Sequence, residues 1–151
     1  MNNKFIDSIP DLTTLGSIIL AYFLNLKFPI IEVVPFPFNL IGWVIVVAGL
    51  SLAIHTVAIL KSRRTSSNPT EIPTMFIKNG PYSFSRNPVY LSYVIVTIGA
   101  AFIFGSVSAF IAPVICFTVL NSFIIPFEEN NLHKKFDKEY EQYKNLVRKW
   151  I

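Results

Sequence analysis

The chain has 151 residues, a formal net charge of +4, 52% hydrophobic and 15% charged residues, and a mean hydropathy of +0.51. About 25% of the residues of a soluble domain are charged, so this composition excludes an ordinary soluble protein and predicts an integral membrane protein. The length suits one compact domain and excludes a helical bundle with a separate soluble catalytic domain.

Four apolar segments are long enough to cross a bilayer as helices, which takes about 20 residues with a range of roughly 17 to 25. They are predicted at residues 12–28, 40–60, 88–104 and 107–127. Only Gly105 and Ser106 separate the last two segments, and this pair favours a tight turn, so a helical hairpin is predicted. The segments lack the two-residue alternation of barrel strands, and only helices and closed barrels span lipid.

Polar regions follow the second and fourth segments. Residues 61–87 are predicted to form a cytoplasmic loop. Residues 128–151 are predicted to form an amphipathic helix or helix pair, because apolar side chains recur there every three or four positions. This apolar stripe consists of Leu132, Phe136, Tyr140, Tyr143, Val147 and Trp150. The tail suits an interfacial anchor and could also cover a ligand pocket.

The fold class predicted for residues 1–151 is therefore a single all-α membrane domain, a bundle of about four transmembrane helices with a C-terminal amphipathic cytoplasmic helix. Of the 13 Lys and Arg residues, 12 then fall on one side of the membrane, the exception being Lys27. Because cytoplasmic loops carry the positive excess, both termini are predicted to face the cytoplasm. Asp7 and Asp11 beside Lys4, with no cleavage pattern after Phe28, disfavour a signal peptide.

Several residue types argue against other chemistries. Cys116 lies within an apolar segment and is interpreted as a packing residue. His55 and His133 are too few and too far apart for a metal site, and no metal or nucleic-acid partner is expected.

A polar block containing one cation and two tyrosines ends at the start of the third apolar segment. Two carboxylates, Glu128 and Glu129, directly follow the fourth segment. If the hairpin returns the chain to the same membrane face, these carboxylates lie beside Arg86. This closure is the predicted active site.

These blocks resemble the isoprenylcysteine carboxyl methyltransferase and phospholipid methyltransferase superfamily. The resemblance covers residues 62–151 and rests on two blocks that occur in the right order around the hairpin. The first block is Gly80-Pro81-Tyr82, Arg86-Asn87-Pro88 and Tyr90; the second is Glu128-Glu129, Phe136, Tyr140, Tyr143 and Arg148-Lys149-Trp150-Ile151.

The resemblance implies a membrane enzyme that uses S-adenosylmethionine, held near the cytoplasmic face without a Rossmann fold, and a lipophilic or small acceptor that arrives from the lipid. The implied catalytic residues are Arg86, Asn87 and Glu129. The implied cofactor-binding residues are Tyr82, Arg86, Asn87, Pro88, Tyr90, Glu128, Glu129 and Tyr143. Carboxylates and aromatic faces suit the ammonium and sulfonium of this cofactor.

Simpler roles exist for the same residues. Arg86 can mark the end of a span, Glu128 and Glu129 can favour a helix start through the helix dipole, and Pro88 can begin a helix. Many family members have His where this chain has Asn87, and Asn cannot shuttle a proton near neutral pH. The acceptor therefore stays open among a carboxylate, a thiol and an amine.

A non-enzymatic membrane scaffold or subunit that binds anionic lipid or a partner protein is the alternative function. It explains the basic face but gives no reason for Arg-Asn-Pro-x-Tyr to accompany Glu-Glu. A transporter is disfavoured because the apolar segments contain almost no charged groups.

Overall fold

The computed structural model describes residues 3–65, 70 and 75–151, and within them it contains helices and no β-strand. The predicted loop at residues 61–87 therefore falls partly outside the described residues. The α-helices are α1 (Asn3–Lys27), α2 (Ile41–Ser62), α3 (Pro88–Phe104), α4 (Ile111–Val119) and α5 (Ile125–Leu146). Short 3-10 helices at Phe38–Leu40, Gly80–Ser83 and Val107–Phe110 precede α2, α3 and α4, and a π-helical turn at Leu120–Ile124 joins α4 to α5.

The all-α class is confirmed, and each of the four predicted apolar segments is largely helical. In the part of the chain that the structure describes, three helical stretches have the length and apolar composition to cross a membrane: Ile6–Lys27, Phe38–Ser62 and Val107–Leu146. The third predicted span is a shorter apolar helix, Pro88–Phe104, of 17 residues.

Helices α2 and α3 run antiparallel with their backbones in close contact. A Cβ atom at Gly42 would lie 2.5 Å from the carbonyl oxygen of Gly99, and one at Gly49 would lie 2.8 Å from Val96 Cγ2. Without a driving force from water, apolar helices associate through such close packing of small residues. The packing places the end of α2 beside the start of α3, where the predicted site lies.

The predicted hairpin between α3 and the following helix is confirmed. Gly105 ends α3 in the left-handed conformation, with φ 77°. Its carbonyl accepts hydrogen bonds from the backbone N–H groups of Val33 (2.8 Å) and Val34 (3.0 Å), so the segment before α2 covers this turn. A side chain at Gly105 would strike the Val34 carbonyl at 2.6 Å, which explains the glycine.

The chain is helical through residues 127 and 128, where the last span was predicted to end and the amphipathic tail to begin. The chain stays helical across Glu128, because the π-helical turn accommodates Pro126 in the first turn of α5. The break comes later, at Asp137, where φ is 36° and ψ is −108°.

The predicted tail helix also ends too late. Val147 is extended (φ −121°, ψ 132°), and Val147–Ile151 forms a non-helical segment that we name the C-terminal strap. The backbone N–H of Arg86 donates a hydrogen bond to the Arg148 carbonyl at 3.0 Å. This backbone carbonyl of the strap is therefore bonded to the loop before α3 and not within a helix.

The C-terminal strap and helix α1 both lie beside the first two turns of α3. The strap contacts Arg86, and the hydroxyl of Tyr93 donates a hydrogen bond to Asp11 in α1. Cys116 is fully buried against Tyr90 and the π-helical turn, which confirms its interpretation as a packing residue.

Candidate functional site

All eight residues proposed to bind the cofactor line one cleft, the first cleft, between the end of α2, the start of α3 and the first half of α5. Its volume is about 670 Å³ counting its open mouth. The eight are Tyr82, Arg86, Asn87, Pro88, Tyr90, Glu128, Glu129 and Tyr143. The remaining lining residues are Leu60, Thr65, Met75, Phe76, Ile77, Val89, Leu132 and Tyr140.

Local backbone geometry shapes the wall that precedes α3. Gly80 has a φ of 66°, and a side chain there would meet Ile59 at 2.7 Å, so the loop can approach α2 only through a glycine. Asn87 takes the N-cap position of α3 and Pro88 follows inside its first turn, where a missing N–H costs nothing. The Ser85 hydroxyl accepts a hydrogen bond from the Asn87 backbone N–H at 3.1 Å.

Arg86 joins α5 to the start of α3. Its Nε and Nη2 atoms lie 3.1 and 3.0 Å from Glu129 Oε1, and the two side chains are 10% and 19% exposed. Its Nη1 donates to the carbonyls of Lys144 and Val147, both at 3.2 Å, at the end of α5 where carbonyls lack helical partners. Arg86 therefore neutralises Glu129 and also caps α5.

Asn87 and Tyr143 likewise donate to backbone carbonyls. Asn87 Nδ2 donates to the Lys149 carbonyl at 3.0 Å, and the Tyr143 hydroxyl donates to the Tyr82 carbonyl at 2.6 Å. Both residues are buried. Like Arg86, they fasten the loop, α5 and the C-terminal strap together.

Glu128 differs from Glu129 in its partners. It accepts a hydrogen bond from the Tyr90 hydroxyl at 2.7 Å, and no cation pairs with it among the residues that the structure describes. Burial, and then the negative charge of Glu128, raise the pKa of the Tyr82 hydroxyl, so Tyr82 stays neutral. The first cleft thus presents one carboxylate that no cation neutralises, among aromatic rings.

Sequence reasoning missed Phe76. Its ring stacks on Phe136 with centroids 5.2 Å apart and meets Tyr143 edge-on at 5.1 Å. Met75-Phe76-Ile77 is an apolar triplet inside a polar loop, and that contrast is the signal that could have found it. We call Met75, Phe76 and Ile77 the partition, because they form one wall of the first cleft.

The hydroxyl of Tyr140 was also missed, because Tyr140 was assigned only to the apolar stripe of the tail. The residue is 2% exposed and lines the first cleft. Its hydroxyl oxygen has no hydrogen-bond partner within the described part of the chain. Since a buried unpaired hydroxyl costs about 1–3 kcal/mol, this atom points to a polar ligand group.

The C-terminal strap is anchored at the π-helical turn. The Ile125 N–H donates to the Leu120 carbonyl, and Pro126 has no N–H, so the carbonyl of Asn121 lacks a helical partner. Lys149 Nζ donates to that carbonyl and Trp150 Nε1 donates to the Asn121 side-chain oxygen, both at 3.2 Å. Trp150 therefore lies outside the tail helix in which it was predicted.

Comparison with known proteins identifies the family. The sequence model described as phospholipid methyltransferase matches residues 37–139, which contain α2 to α4 and the site residues from Tyr82 to Glu129. The chain belongs to this family. Helix α1 and residues 140–151 lie outside the match, which therefore does not cover Tyr140, Tyr143 or the C-terminal strap.

One curated relative is an uncharacterized protein of Haemophilus influenzae. It is 35% identical over 63 residues, which are 42% of this chain and 100% of that protein. No solved structure matches the chain.

Proposed function

We propose that this chain is an integral membrane methyltransferase that uses S-adenosylmethionine and methylates a lipophilic or small acceptor reached from the bilayer. Family membership supports methyl transfer. The observation that carries the choice of donor is Glu128, a carboxylate without a cationic partner among the described residues, in an aromatic cleft. Such a site suits a cationic ligand.

The residues of the first cleft fit this cofactor. S-adenosylmethionine supplies a methyl group on a sulfonium, and its leaving group is a neutral thioether. Glu128 and Tyr90 would hold a positive group of the cofactor, Phe76 and Tyr82 offer faces to its adenine, and the unpaired Tyr140 hydroxyl matches a polar group. Aligning and desolvating the reactants is then the main task of the protein.

In this proposal Arg86, Asn87 and Glu129 position the cleft wall. The Arg86–Glu129 pair carries little net charge, and its hydrogen bonds fix the distance between α3 and α5. Asn87 is neutral and bonds the strap, so we assign it no proton transfer. A carboxylate acceptor needs no general base, whereas an amine or thiol must lose a proton.

The experiment is a titration of the purified protein in detergent with S-adenosylmethionine, followed by isothermal calorimetry. Because a hydrogen bond to a charged group is worth about 1.5–3 kcal/mol, Glu128→Gln should weaken binding at least about tenfold. Glu141→Gln is the matched control on the same helix, since Glu141 pairs with His133 and does not line this cleft. Its affinity should stay within about twofold of wild type.

Equal losses of S-adenosylmethionine affinity in Glu128→Gln and Glu141→Gln would show that Glu128 does not bind the cofactor. Absence of binding by the wild-type protein, together with absence of label transfer from isotopic methyl donor to membrane extracts, would favour the non-enzymatic scaffold.

A further inference from the structure

The segment that joins α1 to α2 is strongly apolar. Residues 28–38 contain one charged residue, Glu32. Six large apolar side chains of this segment are between 48% and 75% exposed: Phe28, Ile30, Ile31, Val33, Phe36 and Phe38. We name residues 28–38 the apolar cap, because they cover the turn between α3 and α4. A contiguous exposed apolar surface of this kind marks contact with lipid or with another protein.

The backbone of the apolar cap has few donors that need water. Three of its residues are prolines and have no N–H group. The Phe28 N–H donates to the Leu24 carbonyl at 2.7 Å, and those of Val33 and Val34 donate to the Gly105 carbonyl at 2.8 and 3.0 Å. Non-helical backbone is tolerated at membrane depth where protein satisfies its polar groups. These groups of the cap meet that condition.

The turn beneath the apolar cap lies at the depth of lipid. Helix α3 begins directly after the polar block and has 17 residues, which span about 25 Å. The hydrocarbon core of a bilayer is about 30 Å thick, so the turn falls about 5 Å short of the opposite boundary. The cap supplies partners there that lipid lacks, since the Val107 N–H donates to the Ile31 carbonyl at 2.9 Å.

The surroundings of the apolar cap favour lipid over a protein partner. A spanning stretch ends at Lys27 and the next begins at Phe38, so both ends of the cap lie at the membrane. A protein interface keeps a polar rim around its apolar centre. Residues 28–40 offer only Glu32 and Asn39 as polar side chains.

We propose that the apolar cap inserts between the headgroups and the acyl chains of the leaflet away from the first cleft, and completes the short span of the α3–α4 hairpin. Interfacial segments bury apolar side chains to a depth of about 5–10 Å, which covers the missing length of the hairpin. A short span otherwise thins the bilayer around it. The cap therefore keeps the start of α3, and with it the first cleft, at the opposite boundary.

Fluorescence quenching tests the insertion. The full chain carries a bimane label on Phe36→Cys, Glu32→Cys or Val47→Cys in phosphatidylcholine vesicles, and the buried Cys116 stays unlabelled. Val47, on the exposed face of α2, is the reference for lipid. The labels at Phe36 and Val47 should lose fluorescence to a nitroxide on the lipid acyl chain and resist iodide. The label at Glu32 should be quenched by iodide.

Two results of this experiment contradict the proposal. Iodide quenching at Phe36 as strong as at Glu32 would place the apolar cap in water. Protection of the Phe36 label from both quenchers would show that a second copy of the protein covers this surface.

Bilayer thickness tests whether the apolar cap completes the span. Phe36→Asp should lower the denaturant midpoint more in thick dierucoyl than in thin dimyristoleoyl phosphatidylcholine, because the charge lies deeper in the thicker bilayer. Leu146→Asp is the matched control: it adds the same charge to an exposed apolar position at the end of α5, and its loss should be the same in both lipids.

Equal losses for Phe36→Asp in the two lipids would overturn the role of the cap in completing the span. Phe36→Ser gives the same comparison with a milder change if the Phe36→Asp protein does not fold.

Discussion

Side chains that line the first cleft fall into two groups by what they contact. Arg86, Asn87 and Tyr143 donate hydrogen bonds to carbonyls of the loop, α5 and the strap. Glu128 and Tyr140 have no such backbone partner among the described residues. Replacement of the first group should therefore disturb the fold, and replacement of the second should disturb ligand binding.

Two tyrosine-to-phenylalanine variants test this division. Tyr140→Phe removes a buried hydroxyl that has no partner among the described residues, so the free energy of unfolding should rise by about 1–3 kcal/mol while S-adenosylmethionine binding weakens about three- to tenfold. Tyr143→Phe removes the bond to the Tyr82 carbonyl and should lower the free energy of unfolding by about 1 kcal/mol.

Thermal or denaturant unfolding in detergent, measured with calorimetric titration, checks both variants. A Tyr140→Phe protein that binds the ligand like wild type would show that this hydroxyl faces no ligand. Equal destabilisation by the two substitutions would contradict the division.

Among the helices, the contact of α2 with α3 sets the position of the first cleft, because Leu60 comes from the end of one helix and Pro88 from the start of the other. Glycines allow the two backbones to approach. A helix interior normally disfavours glycine by about 1 kcal/mol, so its presence here reflects packing.

Gly42→Ala should destabilise the protein by about 1–3 kcal/mol, because the new methyl would lie 2.5 Å from the Gly99 carbonyl oxygen, and backbone yields less than a side chain. Gly16→Ala in α1 is the control, since nothing lies within 4 Å of a Cβ there. The free energy of unfolding of the Gly16→Ala protein should stay within about 1 kcal/mol of the wild-type value. Chemical unfolding in mixed micelles measures both, and a Gly42→Ala protein as stable as Gly16→Ala would contradict the close α2–α3 contact.

For the molecule as a unit, the contacts place the C-terminal strap and the first cleft at one end of the bundle, and the Gly105 turn lies at the other. Lys61 follows the cleft residue Leu60 and Lys138 precedes the cleft residue Tyr140 by two positions, whereas the backbone of Glu32 bridges to Ser106 beside the turn. The charge asymmetry predicts that the first cleft faces the cytoplasm.

Cysteine labelling tests this orientation. Wild-type protein should react little with an impermeant maleimide, because Cys116, its single cysteine, is buried. Lys61→Cys and Lys138→Cys should react from the cytoplasmic side of sealed vesicles, and Glu32→Cys from the opposite side. Labelling of Lys61→Cys and Lys138→Cys from different sides would contradict the shared location of the first cleft and α5.

Much of the fold could be predicted before any coordinates. Hydropathy located the four apolar helices, and a glycine located the turn between the last two. The motif blocks also named eight residues that share one cleft. These features depend on local composition and spacing, which are present in the linear chain.

Side-chain partners could not be predicted in the same way. That Arg86 caps α5, that Phe76 stacks on Phe136, and that Asn121 binds the strap all depend on how distant segments pack. A π-helical turn joins α4 to α5 just before Pro126, so the chain stays helical from one helix into the next. Such contacts join residues far apart in the chain, so their geometry exists only once the helices have packed.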